Sequence, residues 1–234
     1  MRNAFIGAAV ALLSAAPAMA DTILTFDIPG FVNFEAVDQA YGDRVTSASD
    51  ASGAYGTDGA GFTPNVVVDY GAPDEDPSLW GTGYGTLVNV LFNDADGDLT
   101  FTMLFTADPG YLVRLVSFDL ASFSGAGQTI QNAHAIDVLS NTPLWSVGST
   151  FITGAGASSL MPDVSAQQIA LVLDLTGLGT FSDNIAVDNV RFGQALAPGI
   201  PPPPPGVPEP ATLLLLGAGV AAAWRVRDRS RREV

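Results

Sequence analysis

Asn93-Asp94-Ala95-Asp96-Gly97-Asp98 carries the most suggestive chemistry in the chain. Asp94, Asp96 and Asp98 alternate around a glycine, which allows a tight turn. Alternating carboxylates can converge on calcium, a hard cation that prefers oxygen ligands. The following glutamate of an EF-hand loop is absent. The same residues also make an ordinary polar hairpin turn between apolar runs at 87–92 and 99–105. A second candidate is Trp80-Gly81-Thr82-Gly83-Tyr84-Gly85. Sugar rings stack on exposed aromatic faces, so Trp80 and Tyr84 are the candidate glycan platform. Loop aromatics also fold back over a core edge, because they bury large areas.

Other chemistries are limited by what the chain lacks. All nine basic residues are arginines and there is no cysteine. Phosphate-cradling P-loops, Schiff-base lysines, thiol catalysis, Cys-based zinc sites and disulfides are therefore excluded. His134 is the sole histidine, and no G-x-S-x-G stretch nominates a serine for it to activate. Paired carboxylates could cleave glycosidic bonds. However, the only glutamates between residues 21 and 206 are Glu35 and Glu75, and the many aspartates do not select a pair. A secreted polysaccharide hydrolase is the enzymatic alternative to a non-enzymatic binding or structural module.

Residues 21–206 hold 21 acidic side chains against Arg44, Arg114 and Arg191, a net of 18 negative charges. Such a surface repels nucleic acid and attracts cations.

The two ends read as addresses. After Arg2, the apolar run Ala4–Leu13 leads to Ala18-Met19-Ala20, a small-x-small cleavage site before Asp21. Residues 1–20 are thus expected to be a signal peptide removed by signal peptidase. At the other end, Pro208-Glu209-Pro210 precedes the apolar run Ala211–Trp224 and then the arginine-rich tail 225–232. Fourteen helical residues rise about 21 Å, short of the ~30 Å hydrocarbon core. The basic tail stays cytoplasmic under the positive-inside rule. This is expected to be a transient inner-membrane anchor, a short transmembrane helix at 211–224. Five consecutive prolines, Pro201–Pro205, make residues 195–206 a stiff spacer.

Motif, short helix and basic tail in this order resemble the PEP-CTERM sorting signal, here spanning 207–234 with Pro208, Glu209 and Pro210 as the motif. The resemblance implies processing by an exosortase. It implies export across the inner membrane of a Gram-negative bacterium to the cell surface or extracellular matrix, in association with exopolysaccharide.

Residues 21–194 must position any remaining site. Leu99–Phe105, Val116–Leu120 and Gln168–Leu175 alternate apolar and polar residues, as half-buried strands do. Further strands are expected at 22–26, 65–70, 87–92, 135–139, 144–147 and 185–192. Gly, Asp, Asn and Pro clusters separate them. Many strands without helices predict an all-β, antiparallel, jelly-roll-like sandwich. The Gly-rich stretch 46–64 is expected to be a mobile surface loop. Trp145 is expected in the core.

Phe181–Phe192 resembles the last strand of galactose-binding-like sandwiches. That resemblance implies pairing of the first and last strands, with Asp188 as a residue helping to hold a structural calcium there and Asp27 meeting it. Ile185 and Val187 on one face, with Val190 and Phe192 on the other, predict a bulge at Asp188–Asn189 or a strand buried on both sides.

Overall fold

The computed structural model describes residues 20–56, 61–71, 77–94 and 99–201. Two antiparallel sheets make up the sandwich. The smaller has the strand order 142–147, 132–137, 168–174, 100–107, 66–70. The larger is centred on the last strand, Ile185–Leu196, flanked along one edge by Tyr111–Ser122. Its other edge is shared by Val90–Phe92 and the first strand, Thr22–Leu24. The chain switches sheets repeatedly, as a jelly-roll-like arrangement requires: 66–70, 100–107 and 168–174 lie in one sheet, while 78–80, 111–122 and 185–196 lie in the other.

Alternation explains which side chains meet between the sheets. Phe101, Met103 and Phe105 point inward from Thr100–Ala107, and Ile169, Leu171 and Leu173 from Gln168–Asp174. Val113, Leu115, Phe118 and Leu120 face them from the larger sheet. The Phe105 and Phe192 rings join the two sheets, with centroids 5.2 Å apart. Both are fully buried. Trp145 is partly buried against this core, edge-on to Phe118.

The last strand is both bulged and buried on two sides. Its register with Tyr111–Ser122 slips between Asp188 and Arg191, and Asn189 takes φ +49°. Asparagine tolerates that left-handed conformation better than most residues. Ile185, Val187, Val190 and Phe192 join the main core. Ala186 instead joins a smaller cluster with Tyr84, Val90, Phe92 and Ala121.

Two sequence expectations change. The 94–98 stretch is not a hairpin turn, because Val90–Phe92 and Thr100–Ala107 belong to different sheets. The strands on either side of it are not hairpin partners, although the turn residues would be the same either way; residues 95–98 themselves lie outside the described residues. The 46–64 stretch is not simply a surface loop. Ser49–Asp50 pairs with Gly53–Ala54, and Tyr55 is buried against Tyr41 with ring centroids 5.3 Å apart. Aromatic burial at Tyr41, Tyr55 and Tyr70 anchors the segment to the core.

Candidate functional site

The acidic junction of the first and last strands is the most unusual electrostatic feature of the described residues. Phe26 has φ +52° and Ile28 N donates back to Phe26 O at 2.8 Å, turning the chain sharply after the first strand. That turn carries Asp27 toward the bulge in the last strand. There Asp188 lies directly opposite Asp119 across the ladder. Like charges opposite one another destabilise a strand pair.

Asp188 is 4% exposed. Burial pushes its carboxyl up to about 8; the Asn189 backbone N–H opposes this, and Asp27 and Asp119 add to it. Asn189 N donates to Asp188 Oδ1 at 2.6 Å, and its side-chain amide donates to Asp119 Oδ2 at 3.1 Å. Ser159 Oγ donates to Asp119 Oδ1 at 2.5 Å. Asn89 Nδ2 donates to Asp27 Oδ1 at 2.6 Å, with Asn89 itself at φ +58°. Three carboxylates are thus close enough to repel while each is held by its own donors. Among the described residues no three His, Asp or Glu side chains come together at metal-holding spacing.

A carboxyl kept protonated by burial is what a glycosidase acid needs. Burial of Asp188 closes its oxygens to a sugar, however. The cluster can instead hold a proton on Asp188.

The first and last strands pair, and Asp27 lies near enough to Asp188 to help raise its carboxyl. Sequence reasoning missed Asp119 and Asn89, and placed Asn189 in the bulge without its hydrogen bonds to Asp188 and Asp119. The Val116–Phe118–Leu120 alternation puts Asp119 on the outer face, but only the register with the last strand puts it opposite Asp188. Asp94 is elsewhere, accepting a hydrogen bond from the buried Ser78 hydroxyl. Asp96 and Asp98 lie outside the described residues.

The glycan platform needs correction at Tyr84. Its side chain is 3% exposed, and its hydroxyl donates to Asp183 O at 2.5 Å. Burial raises its phenol far above the ordinary range. Trp80 is half-buried in the strand Ser78–Trp80, and its ring meets those of Phe34, Phe92 and Phe123 nearly at right angles. The glycines have structural reasons. A Cβ at Gly83, φ +106°, would lie 2.6 Å from the Phe123 ring, and one at Gly85 would lie 2.5 Å from Gly156 O. Phe34, whose ring packs edge-on against Trp80, is 61% exposed and at φ +69°.

His134 is half-buried in the strand Asn132–Asp137, opposite Ser146 and Val172. Glu35 accepts a hydrogen bond from Val32 N at 2.9 Å, closing a local turn. Glu75 lies outside the described residues.

The signal-cleavage residue Ala20 is at the edge of the sandwich, with Phe62 N donating to its carbonyl at 3.2 Å. Ala18, the sorting residues Pro208, Glu209 and Pro210, and the 211–224 segment lie outside the described residues. Among the described residues no helix is long and apolar enough to cross a membrane.

Comparison with known proteins supplies the remaining finding. The model of the PEP-CTERM protein-sorting motif matches residues 206–230. No match was found among curated proteins. One similar solved structure is that of arabinose-bound MgGH51 α-L-arabinofuranosidase, at 11% identity and a TM-score of 0.38. The alignment covers 77% of this chain, which spans about a quarter (27%) of that one. The chain carries a PEP-CTERM protein-sorting motif at 206–230, which implies an exosortase-processed protein exported to the Gram-negative cell surface.

Proposed function

We propose that the sandwich serves, after signal-peptide removal and exosortase processing, as a non-enzymatic binding or structural module of the extracellular matrix, associated with exopolysaccharide. The observation that carries this reading is the commitment of the domain's cations. Arg44 pairs with Asp108, Arg114 with Asp163 and Arg191 with Asp21, at 2.6–2.7 Å. No arginine remains to neutralise the other acidic groups of residues 21–206. Such a surface meets an acidic polysaccharide through shared divalent cations. A neutral glycan would find an apolar face in the exposed Phe34 ring. The hydrolase alternative needs two accessible carboxyl groups about 5–9.5 Å apart. Asp188, the carboxyl with the acid-like environment, is buried.

Calcium is the cation this reading expects, with Asp27, Asp188 and Asp119 as its nearest carboxylates. The three do not converge on one point among the described residues, so an ion would have to draw them inward, whereas a proton on Asp188 needs no such rearrangement. Thermal unfolding of the exported protein in calcium, in chelator, and in sodium chloride of matched ionic strength separates these cases. At a hundredfold excess over Kd a bound ion contributes about 2.7 kcal/mol. That is expected to raise the midpoint by several degrees in calcium alone. Equal midpoints in calcium and chelator would leave only a solvated acidic surface.

A further inference from the structure

We infer that the Ala20–Asp21 bond must be cut before the first strand docks, so that signal removal and completion of the fold occur in a fixed order. The inference rests on reading residues 1–20 as a signal peptide. Its support is the way the folded sandwich holds both sides of that bond.

The carbonyl that a protease would attack is Ala20 O, and it already accepts a hydrogen bond from Phe62 N at 3.2 Å. The next carbonyl, Asp21 O, accepts from Gly61 N at 2.9 Å. Asp21 Oδ2 is ion-paired to Arg191 Nε at 2.7 Å. Thr22 is fully buried and shares a 2.7 Å hydrogen bond with the Thr63 hydroxyl. Ile23 N donates to Tyr55 O at 3.3 Å. From Thr22 to Leu24 the chain is paired residue by residue with Phe192, Arg191 and Val190.

Hydrolysis adds water across the Ala20–Asp21 amide, leaving a carboxylate on Ala20 and an ammonium on Asp21. The protease must bring its own donors to Ala20 O as negative charge develops there. In the fold Phe62 N already occupies that oxygen. The residues after the bond must also leave their partners to lie extended in an enzyme cleft. Cleavage of the docked form is therefore limited to molecules in which this edge has opened.

Chain direction adds to the constraint. The first strand runs antiparallel to the last, so Ala20 emerges at the end of the sandwich where Leu196 leaves. The apolar run of the signal ends at Leu13, seven residues before Ala20. That is at most about 25 Å of extended chain. A signal held in the membrane therefore keeps Ala20 within that reach of it.

The experiment uses the full precursor, purified uncut in detergent and exposed to signal peptidase either folded or freshly diluted from urea. A third arm uses folded precursor carrying Arg191→Ala and Thr63→Val, which loosens the edge without touching the cleavage motif. Folding in each arm is verified by a cooperative melt. The freshly diluted precursor is expected to be cut after Ala20 at least tenfold faster than the folded one, with the double variant between them. Equal rates for folded and diluted wild type would overturn the inference. That comparison decides even if the double variant does not fold. If no arm is cut after Ala20, the signal-peptide reading itself fails.

Discussion

Asp188→Asn is expected to stabilise the sandwich at pH 8 and to leave it nearly unchanged at pH 4. In the fold the Asp188 carboxyl is raised from 3.8 to about 8. Between those values the native state holds a proton that the unfolded chain has lost. Stability therefore falls as pH rises through the window, and the full cost is present above pH 8. Each pH interval across it is worth about 1.4 kcal/mol, so the cost is on the order of 5 kcal/mol by pH 8. Asparagine has no proton to lose, and its carbonyl still accepts from Asn189 N–H. Unfolding free energies of both forms, measured from pH 4 to 8 in chelator, should diverge steadily. Calcium bound by the carboxylates would hold Asp188 ionised and flatten the wild-type slope. Parallel profiles in chelator would show that Asp188 is already ionised and compensated in the fold.

Glu209→Ala is expected to abolish sorting without altering the sandwich. Glu209 is the charged centre of Pro208-Glu209-Pro210, within the matched motif at 206–230. The last strand of the described domain ends at Leu196, 13 positions before Glu209. In a host with an exosortase, the variant should accumulate in the membrane fraction with its C-terminal tail attached. Its melting midpoint should match that of wild type. Release of Glu209→Ala at the wild-type rate would remove the glutamate from the recognition step.

What could be read from the sequence follows a physical division. The strands at 100–107 and 168–174 are visible because one face meets a core and the other meets water, which forces alternation. The bulge at Asp188–Asn189 is visible because apolar residues change faces there. The partners of a strand are not visible in the same way. Asp119 looks like any outward-facing aspartate until the register places it across from Asp188. Tyr84 looks like a loop aromatic until Ala186 of the last strand joins its cluster and Asp183, in the turn before that strand, accepts from its hydroxyl, 99 residues away in sequence. Composition does not show why Gly83 and Gly85 are glycines; Phe123 and Gly156 lie too close for a side chain there. That Val90–Phe92 and Thr100–Ala107 enter different sheets is hidden for a related reason: Asp and Gly encode a change of direction but not the sheet that the chain enters next. Terminal signals need no long-range contact to be recognised, and so they stand out most clearly.

The central claim is that this chain is exported, trimmed at both ends and released. Intact mass analysis of the protein recovered outside the cell, from an exosortase-containing host and from the same host lacking the enzyme, tests it directly. The account predicts a released chain that begins at Asp21 and lacks the arginine-rich tail, found only where the exosortase is present. Without the enzyme, the protein should stay in the membrane fraction with Val234 intact. Release of a chain still ending at Val234, or identical masses in the two hosts, would contradict it.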